Sequence, residues 1–98
     1  YSFDDIFLRP FQAISSKNDI LICISTSGNS KNIIKVLKEA KRKKILSMAF
    51  LGNNGGKAKK LCDKPLVVNS NITARIQECH IFLGHFILES VERKILRK

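Results

Sequence analysis

Ninety-eight residues, 44% hydrophobic and 27% charged, suffice for one small globular domain and exclude two. No apolar run reaches the ~18 to 20 residues of a membrane span, and no basic stretch leads into an apolar one as an export signal does. A formal net charge of +10 raises nucleic acid as a partner, yet aromatic residues are few and are not interleaved with basic ones as a stacking platform requires. The densest cationic run, Lys38 to Lys44, falls where a helix ends, and cations suit that end of its dipole. The expectation is no nucleic-acid partner and no membrane partner. The chain opens on Tyr1 and not on methionine, as expected of a fragment or a processed product.

Residues 3–15 place Phe3, Ile6, Phe7, Phe11 and Ile14 at helical spacing, with Pro10 as a kink or break. Ile20 to Ile24, "ILICI", is a short continuous apolar run between turn signals, which predicts a strand buried on both faces. From Ser30 to Lys44 the pattern turns helical. Ile33, Ile34, Leu37 and Ala40 share one face, and Lys31, Lys35, Lys38 and Arg42 the other. Ile45 to Leu51 reads as a second buried strand. "GNNGG" is a loop in which Asn-Gly and Gly-Gly make turns, and Ala58, Leu61 and Cys62 mark a short helix. Pro65 opens a third strand, a position where proline is tolerated.

From Thr73 one long helix is expected to run to the end of the chain. Its apolar residues go most of the way round, which predicts burial on several sides, by its own domain and by a partner subunit. Cys23, Cys62 and Cys79 are odd in number, far apart and each set among apolar residues. That is the pattern of buried free thiols in a reducing, cytoplasmic compartment. Short strands alternating with amphipathic helices predict an α/β fold, a parallel sheet covered on both faces. Three strands leave at least one edge bare.

"ISTSGNSKN" lies between the first strand and the helix that follows it, at the carboxyl end of the sheet, where open α/β folds bind ligands. The helix start offers free N–H groups and a positive dipole end. Gly28 lets the backbone turn tightly and approach a ligand. Ser25, Thr26, Ser27 and Ser30 add rotatable hydroxyls. Together these predict a phosphate site. The stretch matches neither a Walker loop nor a dinucleotide turn, so a phosphate on a small molecule is expected. A plain helix cap by Ser30 or Asn29 is the simpler account, but it explains one hydroxyl and not four.

Gln77, Glu78, His80 and His85 are the polar members of the last helix. His80 reads as a satisfied core histidine. His85, among Leu83, Gly84 and Phe86, needs a functional reason, and histidine is the common acid or base near neutral pH.

"ISTSGNSKNIIKVLKEAK" followed by "TARIQECHIFLGHFILESVE" resembles the phosphoheptose isomerases of the sugar isomerase (SIS) domain superfamily. "YSFDDIF" and "NNGGKAKKLCD" extend the resemblance over the whole chain. It implies a three-layer αβα SIS domain with a parallel, flavodoxin-like sheet, of which residues 1–98 are the C-terminal portion. It implies conversion of sedoheptulose 7-phosphate to D-glycero-D-manno-heptose 7-phosphate, for bacterial surface polysaccharide. By match to the family's motifs, Ser25, Thr26, Ser27 and Ser30 hold the sugar phosphate. Gln77 contacts substrate and, in zinc-bearing members, the metal. His85 serves as general acid/base or as a zinc ligand.

The family's carbon base, a glutamate, and its "CGNGGS" type motif belong to a preceding half that is not in this chain. The resemblance also implies a cytoplasmic homotetramer assembled through the last helix. Ile72 departs from the family, which commonly has an acidic residue before "TARIQE". Two rival readings stand beside the isomerase: a non-catalytic SIS-domain protein associated with the replication initiator, and an inactive fragment. Ser27 and His85 favour the isomerase.

Overall fold

The computed structural model describes residues 3–97. After a 3-10 turn at Phe3–Asp5, α1 runs Leu8–Ile14. Pro10 stands in its first turn, where the amide it lacks would have no helical acceptor. The expected break therefore falls before Pro10, between Asp5 and Leu8. Then follow β1 (Ile20–Ser25), α2 (Lys31–Arg42), β2 (Leu46–Gly52), α3 (Ala58–Leu61), β3 (Lys64–Val68) and α4 (Thr73–Leu96). Lys98, where the last helix was expected to end, lies outside the described residues, as does the side chain of Phe3.

The sheet has the order β1-β2-β3, and both pairings are parallel. Successive side chains point to opposite faces. Cys23, Ala49 and Leu51 turn to one face and meet Ile33, Val36 and Leu37 of α2, Ala58 of α3 and Cys62 in the main core. Phe50 and Gly52 turn the other way, to α4. The rings of Phe50 and His80 lie 5.8 Å apart between centroids. Ile76 covers Gly52 so closely that a Cβ there would stand 2.6 Å from it. The layers are helix, sheet and helix, as the alternation predicted.

Expectations of burial fail at two places, β1 and Cys79. β1 is an edge strand covered on one face only: Cys23 and Ser25 are buried, while Ile20, Ile22 and Ile24 remain 46–60% exposed. The apolar run is the same whether one face or two is covered, and here α4 packs on β2 and β3 instead. α4 is covered by its own domain along one side only. Ile76 and His80 are its buried residues, and Phe82, Phe86, Leu88, Ile95 and Leu96 are exposed. At ~1.5 Å per residue α4 is ~36 Å long, against ~23 Å for β2 at ~3.3 Å per residue, so the helix overhangs the sheet. Cys79 sits on that helix and is exposed, not buried as its apolar neighbours suggested.

Candidate functional site

β1 delivers the chain to Ser25 and α2 takes it up at Lys31. Between them the backbone turns through Gly28 at φ +73°. Ser25 Oγ accepts from the Gly28 N–H at 3.0 Å and lies 3.3 Å from Ser30 Oγ. Ser27 Oγ accepts from the Asn29 N–H at 3.1 Å. Ser30 occupies the N-cap of α2 with extended backbone, yet its side chain makes no capping bond. The simple cap account therefore fails. The first-turn amides of α2 donate to no capping side chain and, with the positive dipole end, suit an anion. Ser27 and Ser30 are exposed and Thr26 is half-buried, whereas Ser25 is buried and shapes the loop from within.

The loop does not stand alone. The second loop, after β2, braces it along its length. Asn53, itself left-handed at φ +53°, donates from Nδ2 to the Thr26 carbonyl at 3.0 Å. The Ala58 N–H donates to the Gly28 carbonyl at 2.9 Å, and the Lys57 N–H to Asn29 Oδ1 at 2.9 Å. Gly28 and Gly55 meet so closely that a Cβ on Gly28 would lie 2.0 Å from the Gly55 carbonyl oxygen. Reading "GNNGG" as a mere turn misses this role. A signal was present: loops that leave adjacent parallel strands emerge at the same end of the sheet and are neighbours.

Gln77, His80 and His85 line one groove of about 400 Å³ between α4 and the uncovered face of β1, with Ile24 and Phe50 opposite. The helix thus brings Gln77 and His85 to the same groove although they are eight residues apart. Both are exposed, so His85 carries no burial penalty that would demand a function. His80 is buried, with Nε2 2.8 Å from the Leu51 carbonyl. A carbonyl only accepts, so Nε2 is the donor of this bond. Among the described residues Nδ1 is buried without a partner, so the expected satisfied core histidine is satisfied at one nitrogen. Glu78 pairs with Arg75 at 2.8 Å and lines a different depression, beside Cys79 and Phe82.

A zinc site with catalytic function takes about three protein ligands. Among the described residues no three His, Cys, Asp or Glu side chains come together to hold a metal. Gln77 and His85 therefore do not make a zinc site by themselves. No described helix is long and apolar enough to cross a membrane.

No protein-family model matches the chain. The phosphoheptose isomerase of Clostridium acetobutylicum is 46% identical over 95 residues, which are 97% of this chain and 48% of that protein. The phosphoheptose isomerase of Helicobacter pylori strain 26695 is 43% identical over all 98 residues, 51% of its own length. The solved phosphoheptose isomerase of Neisseria gonorrhoeae superposes with a TM-score of 0.90 at 38% identity, over 93% of this chain and 52% of that one. The chain is a phosphoheptose-isomerase homologue. That of Francisella tularensis gives a TM-score of 0.87 at 34% identity, over 91% of this chain and 48% of that one. This homologue spans about half the length of the curated relatives it matches. Its three-layer architecture is that of the SIS domain in these phosphoheptose isomerases.

Proposed function

We propose that this chain is the C-terminal portion of a phosphoheptose isomerase that converts sedoheptulose 7-phosphate to D-glycero-D-manno-heptose 7-phosphate. The observation that carries the reading is the uncapped start of α2. Ser30 holds the cap position but turns its hydroxyl to Ser25, beside the left-handed Gly28. Thr26, Ser27 and Ser30 then offer hydroxyl donors, and the helix start offers amide donors, to the phosphate of the sugar. Ser25 keeps the loop in shape.

Moving a carbonyl along a sugar passes through an enediol. One group carries a proton between adjacent carbons, and another moves protons at the oxygens. In this reading Gln77 hydrogen-bonds a sugar oxygen and His85 exchanges protons with it, both from the groove on α4. Glu78 is tied to Arg75 and faces another depression, and the resemblance to the family implies a carbon base from the half of the domain that precedes this one. Zinc belongs to the proposal only as a shared ion: this chain's Gln77 and His85 would supply two donors and the rest lie elsewhere. The chain alone is expected to bind the sugar phosphate without turning it over. A cytoplasmic homotetramer, joined through the exposed apolar side of α4, completes the reading.

The test is a chimera in which this chain replaces the matching half of the Clostridium acetobutylicum relative. Formation of the aldose phosphate, lost on His85→Ala, supports the proposal. A folded chimera that binds sedoheptulose 7-phosphate but forms no aldose, with zinc supplied, refutes the catalytic part.

A further inference from the structure

The serine loop uses one side of its junction with the second loop. On the other side a concavity of about 860 Å³ opens between α2 and α3. Lysines line both of its walls, Lys31 and Lys38 from α2 and Lys57, Lys59 and Lys60 from the start of α3, and one carboxylate, Asp4, lines it with them. Lys35 stands between the first two and is paired with Asp5 at 2.8 Å. Among the described residues the other five lysines make no ion pair. Elsewhere among the described residues Arg42 pairs with Glu39, Arg75 with Glu78 and Arg93 with Glu89, while Lys17, Lys41, Lys43, Lys44, Lys64 and Lys94 make no ion pair but do not line this concavity. Five unmatched ammonium groups around one concavity focus positive potential into it, and the apolar floor of Ile34 and Leu61 strengthens that field.

We propose that this groove is an anion site, distinct from the serine loop, for a small ligand that carries a chain of phosphates. Lys31 and Lys38 are about 10 Å apart along the axis of α2, so their ammonium groups can be spread along the groove. A phosphate chain spans that distance, while the α3 lysines close on it from the opposite wall. The volume lies in the ~300 to 1,000 Å³ range of small-ligand clefts. Lysines suit a flexible phosphate chain because each is a mobile point charge. Asn29 and Gly56 line this groove and also belong to the two braced loops, joined there by the 2.9 Å bond from the Lys57 N–H to Asn29 Oδ1. An occupant would therefore touch Asn29, which belongs to the loop that the proposed function assigns to the sugar phosphate.

The test is equilibrium binding of a fluorescent ATP analogue to the whole chain, with inorganic triphosphate, adenosine and a single-stranded oligonucleotide as competitors. One saturable site is expected, displaced by triphosphate and not by adenosine. Lys59→Glu/Lys60→Glu, and on the other wall Lys38→Glu, each weaken it by at least about tenfold. Lys17→Glu/Lys94→Glu lowers net charge as much as the double variant but leaves affinity within about twofold, since both residues are remote and screened. Ser27→Ala leaves binding unchanged. Equal loss in both double variants would mean that net charge alone attracts the ligand. Loss on Ser27→Ala would place the ligand in the serine loop. Displacement by adenosine, or tighter binding of the oligonucleotide than of triphosphate, also overturns the proposal.

Discussion

The side-chain amide of Asn53 donates to the carbonyl of Thr26 across 3.0 Å, joining two loops 27 residues apart in the chain. The Asn53 N–H donates in turn to the Ser70 carbonyl at 2.8 Å. One residue thus ties together the carboxyl ends of all three strands. Asn53→Gly keeps the left-handed backbone at no steric cost but removes the amide. Such a bond contributes about 0.5–1.5 kcal/mol, so phosphate-ester affinity is expected to fall roughly two- to tenfold. Calorimetric titration with a sugar phosphate checks this, and an unchanged affinity would detach Asn53 from the serine loop.

Gly28→Ala is expected to do more harm. Its Cβ would have to displace the Gly55 carbonyl, and alanine tolerates φ +73° poorly. Both thermal stability and phosphate binding should drop together. A variant with the wild-type melting temperature would show that the two loops do not meet as described.

Ile72 stands at the N-cap of α4 and offers no side-chain acceptor to the first turn of that helix. It is exposed, so replacing it breaks no core contact. Ile72→Asp supplies the missing acceptor and a charge that suits the dipole. A gain of about 1 kcal/mol is expected, read as a rise of about 4–8 °C in melting temperature for a domain of this size. No rise would mean that the Ser70 hydroxyl, which accepts from the Ile72 N–H at 3.1 Å, already organises the turn.

The thiols separate by environment. Burial, then the neighbouring Cys62, pushes Cys23 up from 9.0 to about 11, and burial pushes Cys62 up as well. Cys79 is exposed. A thiol reagent at pH 8 should modify one cysteine of the native chain, Cys79, and the other two only after unfolding. The sign of the alkaline effect follows from the raised value. Below pH 9 both folded and unfolded states keep the Cys23 proton, and between pH 9 and 11 the unfolded state loses it first. Stability therefore falls across that window, and Cys23→Ala should flatten the fall. Equal slopes for the two proteins would contradict it.

Much of this architecture is legible in the residues themselves. The period of α2, the runs that become β2 and β3, and the glycine and serines between β1 and α2 are local signals, and local chemistry decides them. The rest depends on partners distant in the chain. "ILICI" reads the same for an edge strand as for a central one, because what covers it lies elsewhere. Cys79 has apolar neighbours in sequence but sits on the overhanging part of α4. The bracing of Thr26 by Asn53 and the gathering of Lys31, Lys38 and Lys59 around one groove come from parallel pairing and helix packing, which no short window contains. The cluster of hydroxyls between β1 and α2 was visible in the sequence, whereas the support that shapes the loop was not.

The central claim is that the serine loop and the start of α2 cradle the phosphate of a sugar. Titrating the isotopically labelled chain with sedoheptulose 7-phosphate while following backbone amide resonances tests it directly. The account predicts saturating shifts at Ser27, Gly28, Lys31 and Asn32, reversed by competing inorganic phosphate. Resonances there that stay still while the sugar phosphate perturbs other residues, or none, would contradict it.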